Sequence, residues 1–313
     1  MNLFNSGAVK RPDLFHPQHL SYSNLASYAE CGERWRLERG HRIADHTWFA
    51  TIAGTTLHEA TAAYDTDGSR IDLHARFAEL IAEEERPIRA SKWGDRTKDG
   101  SFTPVAGPNG RDREWWEVYL PIYFERWVNF RQRNPDWVIP TLGGKLAVEL
   151  EFEHVLDSGV KMLGAIDRVF FDHAAGYFFV LDLKFGQVPE GALQLATYGM
   201  LLERMFGIDV PFGGFWSPHI GTRSAKTTKE ADAGAPFRLE QLTEIPNGYL
   251  DRLYAAQLRG VQNGVFIPNI TPNCRGCGVR DFCRAVGGPL ADEVPLGTTI
   301  IDRDTSEVLF QFD

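Results

Sequence analysis

Between Leu146 and Phe185 the chain runs through "LAVELEFEHVL", "VKMLGAIDRVFFD" and "GYFFVLDLKF", the last two separated by the turn residues "HAAG". Apolar and polar residues alternate in the first run, and β-branched and aromatic residues fill the other two, so the set reads as three consecutive antiparallel strands. An amphipathic helix over Glu190–Phe206 then returns the chain to "VPFGGFWSP", a fourth strand expected beside the central one. Strands joined through a returning helix make an α/β sheet, and this block limits the fold more than any other part of the sequence.

The rest of the chain is arranged around that block. Helical spacing appears over Ser21–Gly40, Ile52–Tyr64, Leu73–Arg86 and Arg113–Arg133, with "KWGDRTKDGSFTPVAGPNGRD" as a loop between the last two. A further helix is expected near Gly248–Asn263, then a cysteine-rich segment, then a terminal hairpin in "TTIIDRDTSEVLFQF". No repeat or low-complexity stretch interrupts the pattern.

The polar residues inside the third strand are its unusual feature. Residues two apart on a strand point to the same side, so Asp182 and Lys184 face together. Taken alone, such a pair is a strand-end ion pair. Asp167, in the middle of the preceding strand, is expected next to Asp182 across the hairpin. Two adjacent carboxylates raise one another's pKa unless a cation lies between them, and hard divalent cations suit such oxygens. A cation held there can polarise a phosphoryl oxygen, and a neighbouring lysine can stabilise developing negative charge. That chemistry hydrolyses phosphodiesters.

"GAIDRV", "LDLK" and "QLATY", in this order, resemble the PD-(D/E)XK nuclease superfamily, in particular its RecB- and AddB-like iron–sulfur branch. The resemblance extends from Ser21 to about Ala285 and implies a restriction-endonuclease-like core, a mixed central sheet flanked by helices. It also implies that Asp167, Asp182 and the Leu183 carbonyl bind Mg²⁺ or Mn²⁺, that Lys184 is the catalytic lysine, and that Gln194 and Tyr198, four apart on one helix face, contact the DNA strand or that lysine. Gly54 and His58 in "GTTLHEA" fit the family's G-x-x-x-H helix, whose histidine completes the metal site. Glu59 is expected to point elsewhere. Glu149 and Glu151 share one strand face; one of them could join the site, although the face reads as exposed.

Four cysteines in a chain of 313 residues do not make a disulfide framework. Cys274, Cys277 and Cys283 form C-x2-C-x5-C, with Cys31 far upstream. Zinc is the generic expectation for four cysteines, yet common zinc modules use two close pairs. One distant cysteine plus a C-terminal triplet resembles the family's iron–sulfur members, which implies a four-iron, four-sulfur (4Fe–4S) cluster. Gly32 stands where those members usually carry proline.

The resemblance divides the chain into a helical part at 1–140 carrying Cys31 and His58, a nuclease core at 141–265, an iron–sulfur segment at 266–290 and a hairpin tail at 291–313, all in one compact unit. It implies a metal-dependent DNA exonuclease acting on single strands or DNA ends in recombination, repair or phage DNA processing, with a recombination or helicase partner where unwinding is needed, because no G-x-x-x-x-G-K-[ST] segment is present. A non-catalytic DNA-binding or assembly subunit is the competing reading, and Lys184 argues against it. The net charge of -9 argues against a general DNA coat but not against local basic patches, at Arg34, Arg36, Arg39 and Arg42, at Lys92, Arg96 and Lys98, or at Arg223, Lys226 and Lys229. Apolar runs fall short of the roughly 18 residues that span a bilayer. The N-terminus lacks the pattern of a signal peptide, and a cytoplasmic location in a bacterium or phage-infected host is expected.

Overall fold

The structure, a computed structural model, describes residues 20–41, 43, 47–84, 104–107, 110–186, 188–218 and 239–294, and the backbone alone at 299–301 and 308–311. Arg42, Lys92, Arg96, Lys98, Arg223, Lys226 and Lys229 lie outside the described residues. The described residues form two compact units that divide at 45/46 and at 253/254.

The larger unit carries the sheet. Helices α3 (Phe49–Asp67), α4 (Leu73–Glu84) and α5 (Arg113–Arg133) precede the strands β1 (Trp137–Val138), β2 (Thr141–Leu142), β3 (Lys145–Leu146), β4 (Val148–Val155), β5 (Lys161–Asp172) and β6 (Tyr177–Leu183). The helix α6 (Leu193–Phe206), the strands β7 (Phe212–Trp216) and β8 (Leu239–Gln241) and the start of α7 (Asn247–Gln262) complete it. The sheet is six-stranded and mixed: its order is β1-β5-β6-β7-β8, with β4 also paired to β5. The short β2 and β3 form a separate pair.

The three expected strands are antiparallel neighbours, but the fourth does not lie beside the central one. Arg168 of β5 pairs with Val148 of β4 on one edge and Leu181 of β6 on the other, so β5 has no free edge. β7 therefore adds to β6, and it does so in parallel, with Phe179 opposite Phe212 and Leu183 opposite Trp216. A parallel neighbour requires a crossover, which α6 supplies.

Helices cover both faces of this sheet. Phe170, Phe179 and Leu181 are completely buried in one core with Leu57, Phe77, Leu120 and Trp127 of α3, α4 and α5. Each such side chain contributes about 1.5–3 kcal/mol by leaving water. Val180 points the other way, as strand alternation requires. There it lies with Leu195 of α6 against Gly213, where an added Cβ would fall 2.8 Å from Val180 and 2.9 Å from Leu195. The backbone approach of α6 to β7 thus needs glycine at 213.

The smaller unit contains the first expected helix in two pieces. α1 (Tyr22–Glu30) ends at Cys31, which is extended at φ -161° and ψ 106°, and α2 (Gly32–Trp35) begins after it and widens into a π-helical turn at Arg36–Gly40. The break is local: Cys31 Sγ accepts from the Arg34 N–H at 3.5 Å and so caps α2. After α7 the chain makes a series of 3₁₀ turns between Pro272 and Glu293, and β9 (Thr299–Ile301) pairs antiparallel with β10 (Val308–Gln311). The expected basic patch near Cys31 is largely neutralised, since Arg34 pairs with Glu38 at 2.6 Å and buried Arg36 with Glu33 at 2.7 Å. No helix among the described residues is long and apolar enough to cross a membrane.

Candidate active site

β5 and β6 bring their carboxylates together at the end of their ladder. Because Arg168 pairs with Leu181, Asp167 comes opposite Asp182. The Asp167 Oδ2 accepts from the Leu183 N–H at 2.7 Å. Asp182 is 2% exposed in a strand segment that is otherwise apolar and buried. The chain leaves the sheet directly after it, with the Lys184 N–H bonded to the Trp216 carbonyl at 2.8 Å. The Lys184 ammonium then lies 2.6 Å from Asp182 Oδ2 and over the Phe215 ring.

α3 supplies the histidine. His58 Nδ1 is 3.2 Å from Glu149 Oε1 and 3.8 Å from Asp167 Oδ2, with Phe185 edge-on to its ring. Ligand atoms of His58, Glu149 and Asp167 all fall within 4.8 Å of one another, and no other trio of metal-ligating side chains does so among the described residues. Asp182 stands beside this trio rather than in it. Its Oδ1 accepts from the buried Gln194 side chain at 2.6 Å, and the same Gln194 nitrogen donates to the Tyr198 hydroxyl at 2.8 Å. Gln194 and Tyr198 do share one helix face, and that face orients Asp182.

The sequence puts Glu149 and Glu151 on one strand face, exposed unless one of them joins the site; the structure separates them. Glu149 has φ 44°, and it is the one non-glycine residue at positive φ among the described residues. A single residue in the left-handed region breaks strand alternation and re-aims its side chain, here toward His58. Glu151 stays outside, 82% exposed and 3.9 Å from Lys145. Glu59 points away as expected and pairs with Arg76 at 2.6 Å. Arg168, inside the quoted "GAIDRV", was passed over entirely. Charge in a mid-strand position next to Asp167 was the available signal.

The electrostatics follow from this crowding. Burial raises the Asp182 carboxyl, and Asp167 raises it further, to about 7 despite Lys184 and His58. Burial raises Asp167 as well, opposed chiefly by His58. Glu149 is lowered, because its bond to His58 and the charges of His58 and Arg168 outweigh burial. Burial works against a charged His58, but Glu149 and Asp167 win and raise it. Two neighbouring carboxylates whose ionisation burial suppresses are a setting in which a bound cation would offset the cost of their charges.

The four cysteines converge in the smaller unit, where all four line one pocket and none is in a disulfide. Backbone N–H groups aim at the sulfurs: Asn269 at Cys31 Sγ (3.4 Å) and Thr271 at Cys274 Sγ (3.4 Å). Such donors favour thiolates. Gly32 also has its reason here. Its N–H bonds to the Ile267 carbonyl at 2.9 Å, and a Cβ at this position would meet the Ile267 nitrogen at 2.7 Å. Proline would lose that bond and clash with the same backbone.

A family model of the PD-(D/E)XK nuclease superfamily matches residues 19–284. No curated protein matches the chain.

Proposed function

The chain belongs to the PD-(D/E)XK nuclease superfamily, whose members cut nucleic acid with a divalent metal, and from that premise we propose that it is a DNA exonuclease of the RecB- and AddB-like iron–sulfur branch, acting on single strands or ends. One observation carries the catalytic part: the Lys184 ammonium, 2.6 Å from Asp182, stands beside the His58, Glu149 and Asp167 group. In this reading His58, Asp167, Asp182, the Leu183 carbonyl and Glu149 hold Mg²⁺ or Mn²⁺. The bound cation supplies Lewis-acid polarisation of the scissile phosphoryl group. Gln194 and Tyr198 fix the Asp182 carboxylate, and Lys184 stabilises charge that builds on the phosphate oxygens or orients the attacking water. A binding-only subunit has no use for a lysine held in this way.

Cys31, Cys274, Cys277 and Cys283 hold a 4Fe–4S cluster in the same proposal. All four line one pocket, and one distant cysteine plus a C-x2-C-x5-C triplet departs from the two close pairs of common zinc modules.

End-labelled single- and double-stranded DNA, incubated with Mg²⁺, Mn²⁺ or chelator, tests the activity. Metal-dependent release of short products from single strands or ends is expected, and intact substrate under all conditions would refute the proposal. In calorimetric titration with Mn²⁺, Asp167→Ala and Asp182→Ala are each expected to abolish binding and His58→Ala to weaken it about tenfold or more. Unchanged affinity in all three would place the metal elsewhere.

Binding should also follow pH. With Asp182 held up to about 7 and His58 raised above its ordinary value, Mn²⁺ must displace protons from both at low pH, so its affinity should fall by about tenfold or more per pH unit between 7 and 5 and level off above 8. Stability of the metal-free protein runs the opposite way. The folded state holds this proton more tightly than the unfolded carboxyl at 3.8, so the contribution of Asp182 to stability is lost as pH rises from about 4 through 7. Affinity that is flat from pH 5 to 8 would contradict the assignment.

A further inference from the structure

We propose that Arg168 and Asp65 are positioning residues that hold Glu149 in the metal site, an inference that rests on the metal-dependent reading above. Asp65 is on α3, seven residues beyond His58, with Thr61 between them; this spacing of three and four places all three on one helix face. The face is wired to β5. The Arg168 side chain is completely buried, and its Nε donates to Asp65 Oδ2 at 2.7 Å. Its Nη2 donates to Thr61 Oγ1 at 3.0 Å, and its Nη1 to Glu149 Oε1 at 3.1 Å and to the Asp167 carbonyl. The guanidinium thus touches two members of the candidate metal group at once. Thr61 in turn donates to the His58 carbonyl at 3.0 Å, which ties in the third.

Asp65 is the anchor of this arrangement. Its side chain is 1% exposed and lies between two guanidiniums, Arg168 and Arg131, the second at 2.9 Å. Arg131 is fixed in its own right, stacked over Phe170 and bonded to the Trp137 carbonyl at 3.1 Å. A buried ion pair is weak evidence of a role in stability, because apolar residues of similar volume commonly serve as well. What apolar residues could not do is hold a carboxylate whose backbone sits at φ 44°. The register, with Val148 opposite Arg168 and Leu150 opposite Ile166, sets Glu149 across from Asp167, and its left-handed backbone is strain that a fixed partner must hold. The fork of Arg168 gives the re-aimed carboxylate a fixed partner, and Asp65 fixes the fork.

The test is Mn²⁺ titration of wild type, Glu149→Gln, Arg168→Lys, Asp65→Asn and the Arg168→Lys/Glu149→Gln pair, followed by calorimetry, with melting curves for each. Arg168→Lys keeps the charge and loses the fork; Asp65→Asn keeps the shape and loses the anchoring charge. Both are expected to remain folded and to bind Mn²⁺ about 10- to 100-fold more weakly, with the Mn²⁺ needed for half-maximal cleavage rising by a similar factor and kcat at saturating Mn²⁺ largely restored. In the double variant the Arg168→Lys loss should nearly vanish, because it acts through Glu149. Wild-type affinity in folded Arg168→Lys, or losses that multiply fully in the double variant, would overturn the inference while leaving the metal site intact. Both single variants failing to fold would show the network to be structural only and overturn it too. A wild-type protein that binds no Mn²⁺ would overturn the metal site itself, and the positioning role with it.

Discussion

Lys184→Ala is expected to slow DNA cleavage by about 10²- to 10³-fold, the usual cost of removing one preorganised charge from a transition state, while DNA binding changes little. The ammonium is a quarter exposed, so its loss leaves no large cavity. Its charge also holds the Asp182 carboxyl down, against burial and Asp167. Without it Asp182 takes a proton more readily, and Mn²⁺ binding near pH 7 weakens as a secondary effect. Single-turnover cleavage at pH 8.5 and saturating Mn²⁺ separates the two contributions, with binding followed by fluorescence anisotropy in chelator. Lys184→Arg should not restore the rate, because a planar guanidinium cannot take the place of a compact ammonium against Asp182. Turnover by Lys184→Ala near the wild-type rate would remove Lys184 from the mechanism.

Cys31→Ala is expected to have the opposite profile: loss of iron and of visible absorbance, a fall in Tm of about 10 °C or more, and a much smaller loss of cleavage measured well below the new Tm. A site that does not exist in the unfolded chain converts metal-binding free energy into folding free energy. Each kcal/mol lost moves Tm of a unit of roughly 100 residues by about 4–8 °C. Cys31 is the cysteine most separated in sequence from the other three, so its removal would also release the longest loop that the proposed cluster closes. Metal analysis and melting curves on aerobically and anaerobically purified protein check this. Iron-free protein that melts like wild type would show that no structural cluster is bound, and one zinc per chain in wild type would replace the cluster with a different metal.

The readable part of the site was a pattern in order. Asp167, Asp182 and Lys184 could be placed because strand alternation and a short hairpin fix which residues share a side, and those rules act over a few residues. That Gln194 and Tyr198 share a helix face followed from spacing in the same way, whereas their part in the site came from the family pattern; their partner in the structure is Asp182. His58 needed the family pattern, since nothing local to α3 connects it to strands some hundred residues later in the chain.

What the sequence determined by itself was therefore the class of fold, the order of its elements and the chemistry of its polar residues, because propensity, periodicity and side-chain type are properties of short stretches. The tertiary structure decided which edge of the sheet β7 joined, since only pairing on both sides of β5 closes that strand. It decided that Gly32 must be glycine, because backbone from Ile267 packs against it. It also decided that Glu149 faces His58 while Glu151 faces solvent: a backbone angle of 44° at one residue overrides the alternation that the sequence displays. Arg168 holds that carboxylate from beneath through Asp65, a residue 103 positions away in sequence. Contacts of that separation are set by how the layers pack, and packing is a property of the whole chain rather than of any window along it.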